Sequence, residues 1–275
     1  MKPEPAADLH AHSSHSDGLL APAEVVRQAA ATGLHALALT DHDGTAGIDE
    51  AVSAGGTLGL KIIPGVEISC RHLNTDIHLL GWFIDPSHAG LRKRLAGLVQ
   101  ARENRLARML EALGQGGAVI EEAAVRRAAG PLVIGRPHIA RALVEAGHAR
   151  SVQDAFDRWL KQGQAGFVPL QRIPAAEAVA TVKAAGGVAG IAHAGLGVPD
   201  SIIRDLTACG LAGLEVHHPA HRPKQRQHYL GLARHLGLVP TAGSDFHGDD
   251  EGHAPLGTER LPALGLAQLE ARRIS

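Results

Sequence analysis

Cysteine is nearly missing from this chain. Cys70 and Cys209 are the two present, they form no CxxC pair, and no disulfide framework is expected. No apolar run approaches the roughly 18 residues of a membrane span, and the opening MKPEPAADLH lacks the apolar stretch of a signal peptide. A soluble, cytoplasmic protein is therefore expected. Net charge is −1 and the pI is near neutral, so no global excess of one sign draws the chain to a membrane or into a stable nucleic-acid complex. Aromatic residues make up 3% while glycines number 33, the balance expected where many strands end in tight loops. With 275 residues and 45% hydrophobic content, the chain can bury the core of one large domain, or of one domain carrying an insertion.

What the sequence does have is histidine, 18 in all, and its placement follows the predicted strands. Seven short apolar runs read as strands: Ala7–Leu9, Ala36–Thr40, Lys61–Ile68, Ile77–Ile84, Gly187–Ala192, Gly213–Val216 and Leu238–Ala242. They are apolar without alternation, as suits strands covered on both faces in a parallel sheet or barrel. Pro22 to Thr32 reads as a helix, with Pro22 and Glu24 suited to its first turn and Gly33 to its stop. Residues 87–166 differ. Leu91, Leu95, Leu98, Leu106, Met109 and Leu113 trace a helical stripe, and Pro137–Gly147 and Val152–Lys161 read as further helices. This segment is expected to be a helical cap inserted between 1–86 and 167–275. It carries 13 Lys/Arg against 7 Asp/Glu, a balance of +6 that leaves −7 for the remainder. A cationic cap over an acidic body suits an anionic substrate; an ordinary solvated helical face is the other reading.

Metal-ligating residue types gather where the strands end. His10 and His12 close the first, Asp41, His42 and Asp43 the second, and Glu67 the third. His78, His193, Asp245 and His247 lie on or after later ones. In a parallel α/β barrel such ends converge on one mouth. His10 and His12, two apart on an extended chain, point to one face. Imidazole mixed with carboxylate suits Zn, Mn or Fe better than Mg or Ca, and a carboxylate is able to bridge two ions. Cys70 reads as a small buried apolar residue.

The ordered set His10-x-His12, Ser16-Asp17-Gly18, Thr40-Asp41-His42-Asp43, Gly65-Val-Glu67-Ile-Ser69, His193 and Gly243-Ser-Asp245-Phe-His247 resembles the PHP (polymerase and histidinol phosphatase) family over nearly the whole chain. The resemblance implies an α/β fold, a distorted seven-stranded β/α barrel, and two or three divalent ions. Manganese is the expected ion, with zinc or iron as alternatives. By position, His10, His12, Glu67 and Asp245 would hold one ion, Glu67, His78 and His193 a second, and Asp17, His42 and His247 a third. Glu67, Asp245 and His193 are the expected catalytic residues. His15 competes with Asp17 as a ligand, and Ala194 stands where proline is common in the family. His72, His217, His218, His221 and His253 receive no role as ligands, although His218 and His253 are candidates for protonating a leaving group.

In the cap, Arg102-Glu-Asn104-Arg105, Gly135-Arg136-Pro-His138 and Gly166-Phe-Val-Pro169 resemble the nucleotide-acting branch. That branch implies a small phosphate ester or short RNA as substrate: the 3′-phosphate of nucleoside 3′,5′-bisphosphates, or RNA trimmed from its 5′ end. A histidinol-phosphate-type phosphatase, another amidohydrolase-like metal hydrolase and a non-catalytic metal module are the alternatives. Arg102, Asn104, Arg105, Arg136 and His138 are the candidate substrate contacts. Arg102 falls on the inward stripe, where a buried charge needs a partner or an anion. Arg136 precedes the first residue of a predicted helix, whose free N–H groups favour phosphate.

Overall fold

A computed structural model describes residues 5–129, 133–248 and 253–273. Its nine strands are β1 (Ala6–Asp8), β2 (Ala36–Leu39), β3 (Lys61–His72), β4 (Thr75–Trp82), β5 (Ile173–Pro174), β6 (Val188–Ile191), β7 (Gly213–His217), β8 (Val239–Ala242) and β9 (Leu261–Pro262). Seven of them run in the order β1-β2-β3-β4-β6-β7-β8, and the two-residue β5 and β9 attach to β3 and β1. The round closes just beyond the strand ends, where Leu9 N–H donates to the Ala242 carbonyl at 3.1 Å and His12 N–H to that of Phe246 at 2.8 Å. The result is an α/β barrel whose seven members are the apolar runs expected.

One strand departs from the parallel arrangement. β4 runs antiparallel to both β3 and β6, because a hairpin turning at Leu73 (φ 50°) leads straight out of β3. This reversal is the distortion of the barrel. It brings the start of β4 to the mouth where the other strands end, and His78 with it.

The barrel interior is filled by Trp82, fully buried, whose ring N–H donates to the Leu9 carbonyl at 2.8 Å. Two facing glycines make room for it: a Cβ on Gly190 would come within 2.5 Å of the indole, and one on Gly213 within 2.8 Å. These glycines serve close packing inside strands, not loop turns.

Helices α1 (Pro22–Ala31) and α2 (Ile48–Leu58) cover the first strands. Between β4 and β5 the described residues hold only helices: α3 (Ala89–Gln115), α4 (Glu122–Ala129), α5 (Arg136–Glu145) and α6 (Val152–Ala155), which runs on into a π-helical turn at Phe156–Leu160. The remaining helices, α7 (Ala175–Ala184), α8 (Asp200–Ala208), α9 (Pro223–Leu236) and α10 (Ala263–Glu270), return to the barrel. The apolar stripe of α3 serves two cores. Leu91, Leu95 and Leu98 pack with the barrel's β3, β4 and α7, whereas Leu106, Met109 and Leu113 pack with α4, α5 and the π-helical turn. The first turns of α3 are thus rooted in the barrel, and its second half carries the cap. Among the described residues no helix is long and apolar enough to cross a membrane.

Candidate metal centre

The mouth of the barrel collects side chains from most of its strands. His10 and His12 leave the end of β1 on one face, their ring centroids 5.2 Å apart. Glu67 on β3 and His78 on β4 share a face because Ser69 stands opposite His78 in the antiparallel register, which sets Glu67 on the diagonal. The Glu67 Oε1–His78 Nδ1 distance is 2.8 Å. His193 follows β6, with Nε2 3.1 Å from the same Oε1. Asp245 and His247 follow β8.

Three groups of donor atoms converge: His10, His12, Glu67 and Asp245; His42, Glu67 and His78; and His12, Asp17, His42 and His247. In the first, Nε2 of His10 and of His12 lie 3.1 Å apart, each 3.1 Å from Glu67 Oε2 and 3.2 Å from Asp245 Oδ1. Lone-pair atoms packed this closely repel unless positive charge stands among them. Asp17 Oδ1, His42 Nδ1 and His78 Nδ1 are buried and make no aligned hydrogen bond, although Glu67 oxygens stand 3.2 Å from His42 Nδ1 and 2.8 Å from His78 Nδ1, an expensive arrangement for polar atoms unless a ligand satisfies them. The residues fit a cluster of divalent ions, with Glu67 shared between groups. His15 also has an orphaned Nδ1, but it lines a separate 590 Å³ cavity with Asp43, Asp49 and Arg92, while Asp17 stands in the cluster.

Electrostatics keep the acids ionised. Burial pushes the carboxyls of Glu67, Asp17 and Asp245 up, yet the surrounding imidazoles outweigh it and hold all three well below the usual range. Burial dominates at His42, with His12 and His78 adding to it, and takes it down to about 3. At His12 burial is overcome by Asp245 and Glu67, which lift it to about 10.

Behind these side chains lies a frame of buried carboxylates, and Asp41, one of the acids at the end of β2, belongs to it and not to the donor groups. Asp41 accepts from Ser13 N–H, Ser13 Oγ and Ser16 Oγ, each at 2.7 Å, and so shapes the loop carrying His12 and Asp17. Asp8 accepts from the N–H groups of His10, Ser244 and Gly257. Glu215 meets His10 and the backbone of His193. Its one signal in the sequence was a lone acid inside the apolar run Gly213–Val216, where a buried charge demands partners. Strain gathers here too. Asp43, His193 and Asp245 have positive φ of 51°, 28° and 52°, three of the five non-glycine residues with positive φ among those described. Gly243 has no room for a side chain, since a Cβ would fall 2.3 Å from that of His10.

The PHP domain profile matches residues 8–168. The chain belongs to the PHP family. It is 38% identical over 269 residues to the 3′,5′-nucleoside bisphosphate phosphatase of Chromobacterium violaceum, covering 94% of this chain and 93% of that protein. It is 37% identical over 258 residues to the 5′-3′ exoribonuclease Rnm of Escherichia coli, covering 87% and 84%. The structure of a Bifidobacterium adolescentis protein described as a metal-dependent phosphoesterase superposes with a TM-score of 0.93 at 35% identity, covering 99% and 98%. This PHP protein is accordingly a metal-dependent phosphoric ester hydrolase.

Beside the cluster, a 150 Å³ cavity is lined by Asp17, His42 and His78 on the barrel side and by Arg102, Arg105, Arg136, Phe156 and Arg172 on the other. Arg102 is inward, as its place on the stripe required, but its partner is a barrel carboxylate. Nε lies 2.8 Å and an Nη 2.5 Å from Asp43 Oδ2, and the same Nη donates to Ser69 Oγ at 2.9 Å. Asn104 does not line this cavity: it is exposed, accepts from Gln100 Nε2 at 3.1 Å and lines a neighbouring cavity with Arg172, because two residues along a helix turns it away from Arg102. Arg105 donates to the Val168 carbonyl at 2.7 Å, and Arg136 lies over the Phe156 ring at 5.6 Å. Burial pushes Arg105 down to about 9, helped by the neighbouring Arg136, Arg102 and Arg172. His138 is buried and accepts from Gly135 N–H at 2.9 Å, closing the start of α5 instead of facing the cavity. Arg172 was not anticipated, since it stands outside the cap helices.

The leftover histidines sort by contact. His218 Nδ1 accepts from Ala220 N–H at 3.1 Å and Nε2 faces Asp245 Oδ2 at 3.3 Å, so both nitrogens are engaged. His221 bridges the Val216 carbonyl and Gly195 N–H, His72 pairs with Asp205, and His253 lies against the His247 ring. Cys70 is buried, and burial pushes its thiol up, as suits an inert apolar residue.

Proposed function

We propose that this PHP protein removes the 3′-phosphate of nucleoside 3′,5′-bisphosphates and shortens 5′-phosphorylated RNA by the same chemistry. The observation that carries this reading is the crowd of arginines beside the cluster. Arg105, Arg136 and Arg172 line one cavity, and among the described residues Arg136 has a ring contact but no carboxylate partner. Asp76 pairs with Arg172 at 2.9 Å, one carboxylate against three half-buried cations, and a further anion would stabilise the group, for which the guanidinium fork suits phosphate. A substrate with two phosphates matches a site with two kinds of phosphate binder.

The roles divide as follows. His10, His12, Glu67 and Asp245 would hold one divalent ion, Glu67 and His78 a second together with His193 or His42, and Asp17, His42 and His247, with His12 beside them, a third. When bound, such ions draw charge from phosphate oxygens and acidify water. Glu67 belongs to two of these donor sets and would tie them together, and the ionised Asp245 and Asp17 would oppose the charge of bound ions. Arg105, Arg136 and Arg172 bind and orient the phosphate that is not cleaved, while Arg102 fixes Asp43 beneath them. Phe156 excludes water from that side.

The test is direct. Protein reconstituted with manganese is given adenosine 3′,5′-bisphosphate, a short 5′-phosphorylated RNA and histidinol phosphate. Release of AMP and phosphate from the first, with turnover of the second, supports the reading. A much higher kcat/KM on histidinol phosphate overturns it.

A further inference from the structure

Glu215 is fully buried on β7 and touches two of the proposed ligands by different atoms. Its Oε1 lies 3.1 Å from His10 Nδ1, and its Oε2 accepts from the backbone N–H of His193 at 2.6 Å. Oε2 already accepts from a backbone N–H, and a carboxylate is an acceptor-only group. His10 Nδ1 must then be the donor, which turns the Nε2 lone pair toward His12, Glu67 and Asp245. At His193 the carboxylate grips a backbone held at φ 28°, a conformation that side-chain-bearing residues avoid. The fit is tight: a Cβ on Gly243 would approach Glu215 Oε1 to 2.8 Å.

We infer that Glu215 is a positioning residue that sets the His10 tautomer and fixes the strained His193 turn, so that one buried carboxylate prepares two ligands on different strands for their ions. This rests on the metal-centre reading above. Hydrogen bonds behind ligating histidines typically contribute about 10- to 100-fold to metal affinity.

Glu215→Gln has nearly the same shape but only one acceptor oxygen. Its amide would set N–H against N–H at either His10 or His193. The conflict is relieved by moving the His10 proton to Nε2, which takes the lone pair away from the cluster, or by releasing the His193 turn. The experiment titrates metal-free wild type and Glu215→Gln with zinc by calorimetry, and measures the melting temperature of both metal-free proteins. The variant is expected to bind zinc about 10- to 100-fold more weakly, with folding retained. Equal zinc affinity overturns the inference, as does a variant whose weaker binding follows only from a smaller folded fraction. Nitrogen NMR of zinc-loaded wild type provides a second check that needs no variant: His10 should carry its proton on Nδ1, and a proton on Nε2 overturns the assignment. Wild type that takes up no zinc, manganese or cobalt would instead defeat the underlying metal-centre reading.

Discussion

Two arginines with similar sequence credentials have different jobs. The helical spacing of Leu95, Leu98, Leu106 and Met109 placed Arg102 inward, but spacing on one helix says nothing about what waits across the gap. The partner, Asp43, lies 59 residues away in the chain and on another element. Its strained φ of 51° and its bond from Ser69 N–H at 2.7 Å aim it at the cap. Side-chain exposure is 9% for Arg102 and 0% for Asp43, so solvent screens the pair little. Removing one partner leaves the other charge buried alone, at a cost of about 3–5 kcal/mol. Arg102→Ala should therefore lower unfolding free energy by about that much in urea denaturation. Arg136→Ala, which deletes no ion pair, should leave stability nearly unchanged. It should raise KM for a nucleoside 3′,5′-bisphosphate by about tenfold, given about 1.5–3 kcal/mol for a charge-assisted contact, while leaving a simple aryl phosphate unaffected. Equal losses on both substrates would make Arg136 structural.

At the scale of elements, the seven barrel strands were legible because each is a short apolar run bounded by turn residues. The direction of β4 was not. Apolar content is the same for parallel and antiparallel strands buried on both faces, and the tight turn at Leu73 depends on a positive φ that no glycine advertised. α5 shows the converse. Its start at Arg136–Pro137 was readable from proline's fit to a first turn, but its contact with the metal loop was not. From this helix Arg141 donates to the Asp17 carbonyl at 3.2 Å, and Gly135 sits close enough that an added Cβ would be 3.8 Å from Asp17 Oδ2. The cap thus holds the loop that presents Asp17 to His42 and His247. Arg141→Ala should leave the barrel folded while weakening one class of metal site, by about the tenfold lower bound for an outer hydrogen bond. Elemental analysis at limiting manganese should find fewer ions per chain than in wild type. Unchanged stoichiometry would show that the loop keeps its shape without α5.

For the molecule as a whole, barrel residues and arginines from α3 and α5 line one cavity beside the cluster, and the barrel core and the mouth answer to different perturbations. The barrel core of Val66, Ile68, Leu79, Ile191 and Leu214 is buried independently of any ligand in the mouth, so metal-free protein should remain folded. The mouth, however, crowds ionised carboxylates with imidazoles from several strands, and only the native state brings them together. A cation that binds the folded state alone adds RT ln(1 + [L]/Kd), about 2.7 kcal/mol at a hundredfold excess over Kd. Chelation should therefore lower the melting temperature without unfolding the protein at 25 °C, and should abolish phosphatase activity. Manganese, cobalt or zinc should restore both. Glu67→Gln and Asp245→Asn separate the two effects. Each replaces an ionised donor shared within the cluster by a neutral amide, so each should cost several orders of magnitude in kcat. Each should also shrink the metal-dependent rise in melting temperature, because the site loses charge as well as a ligand. Scanning calorimetry of the three proteins with and without manganese, run beside phosphate-release assays, measures both quantities together. Full activity after verified metal removal would defeat the hydrolase mechanism, and an undiminished thermal shift in Glu67→Gln would remove Glu67 from the shared position.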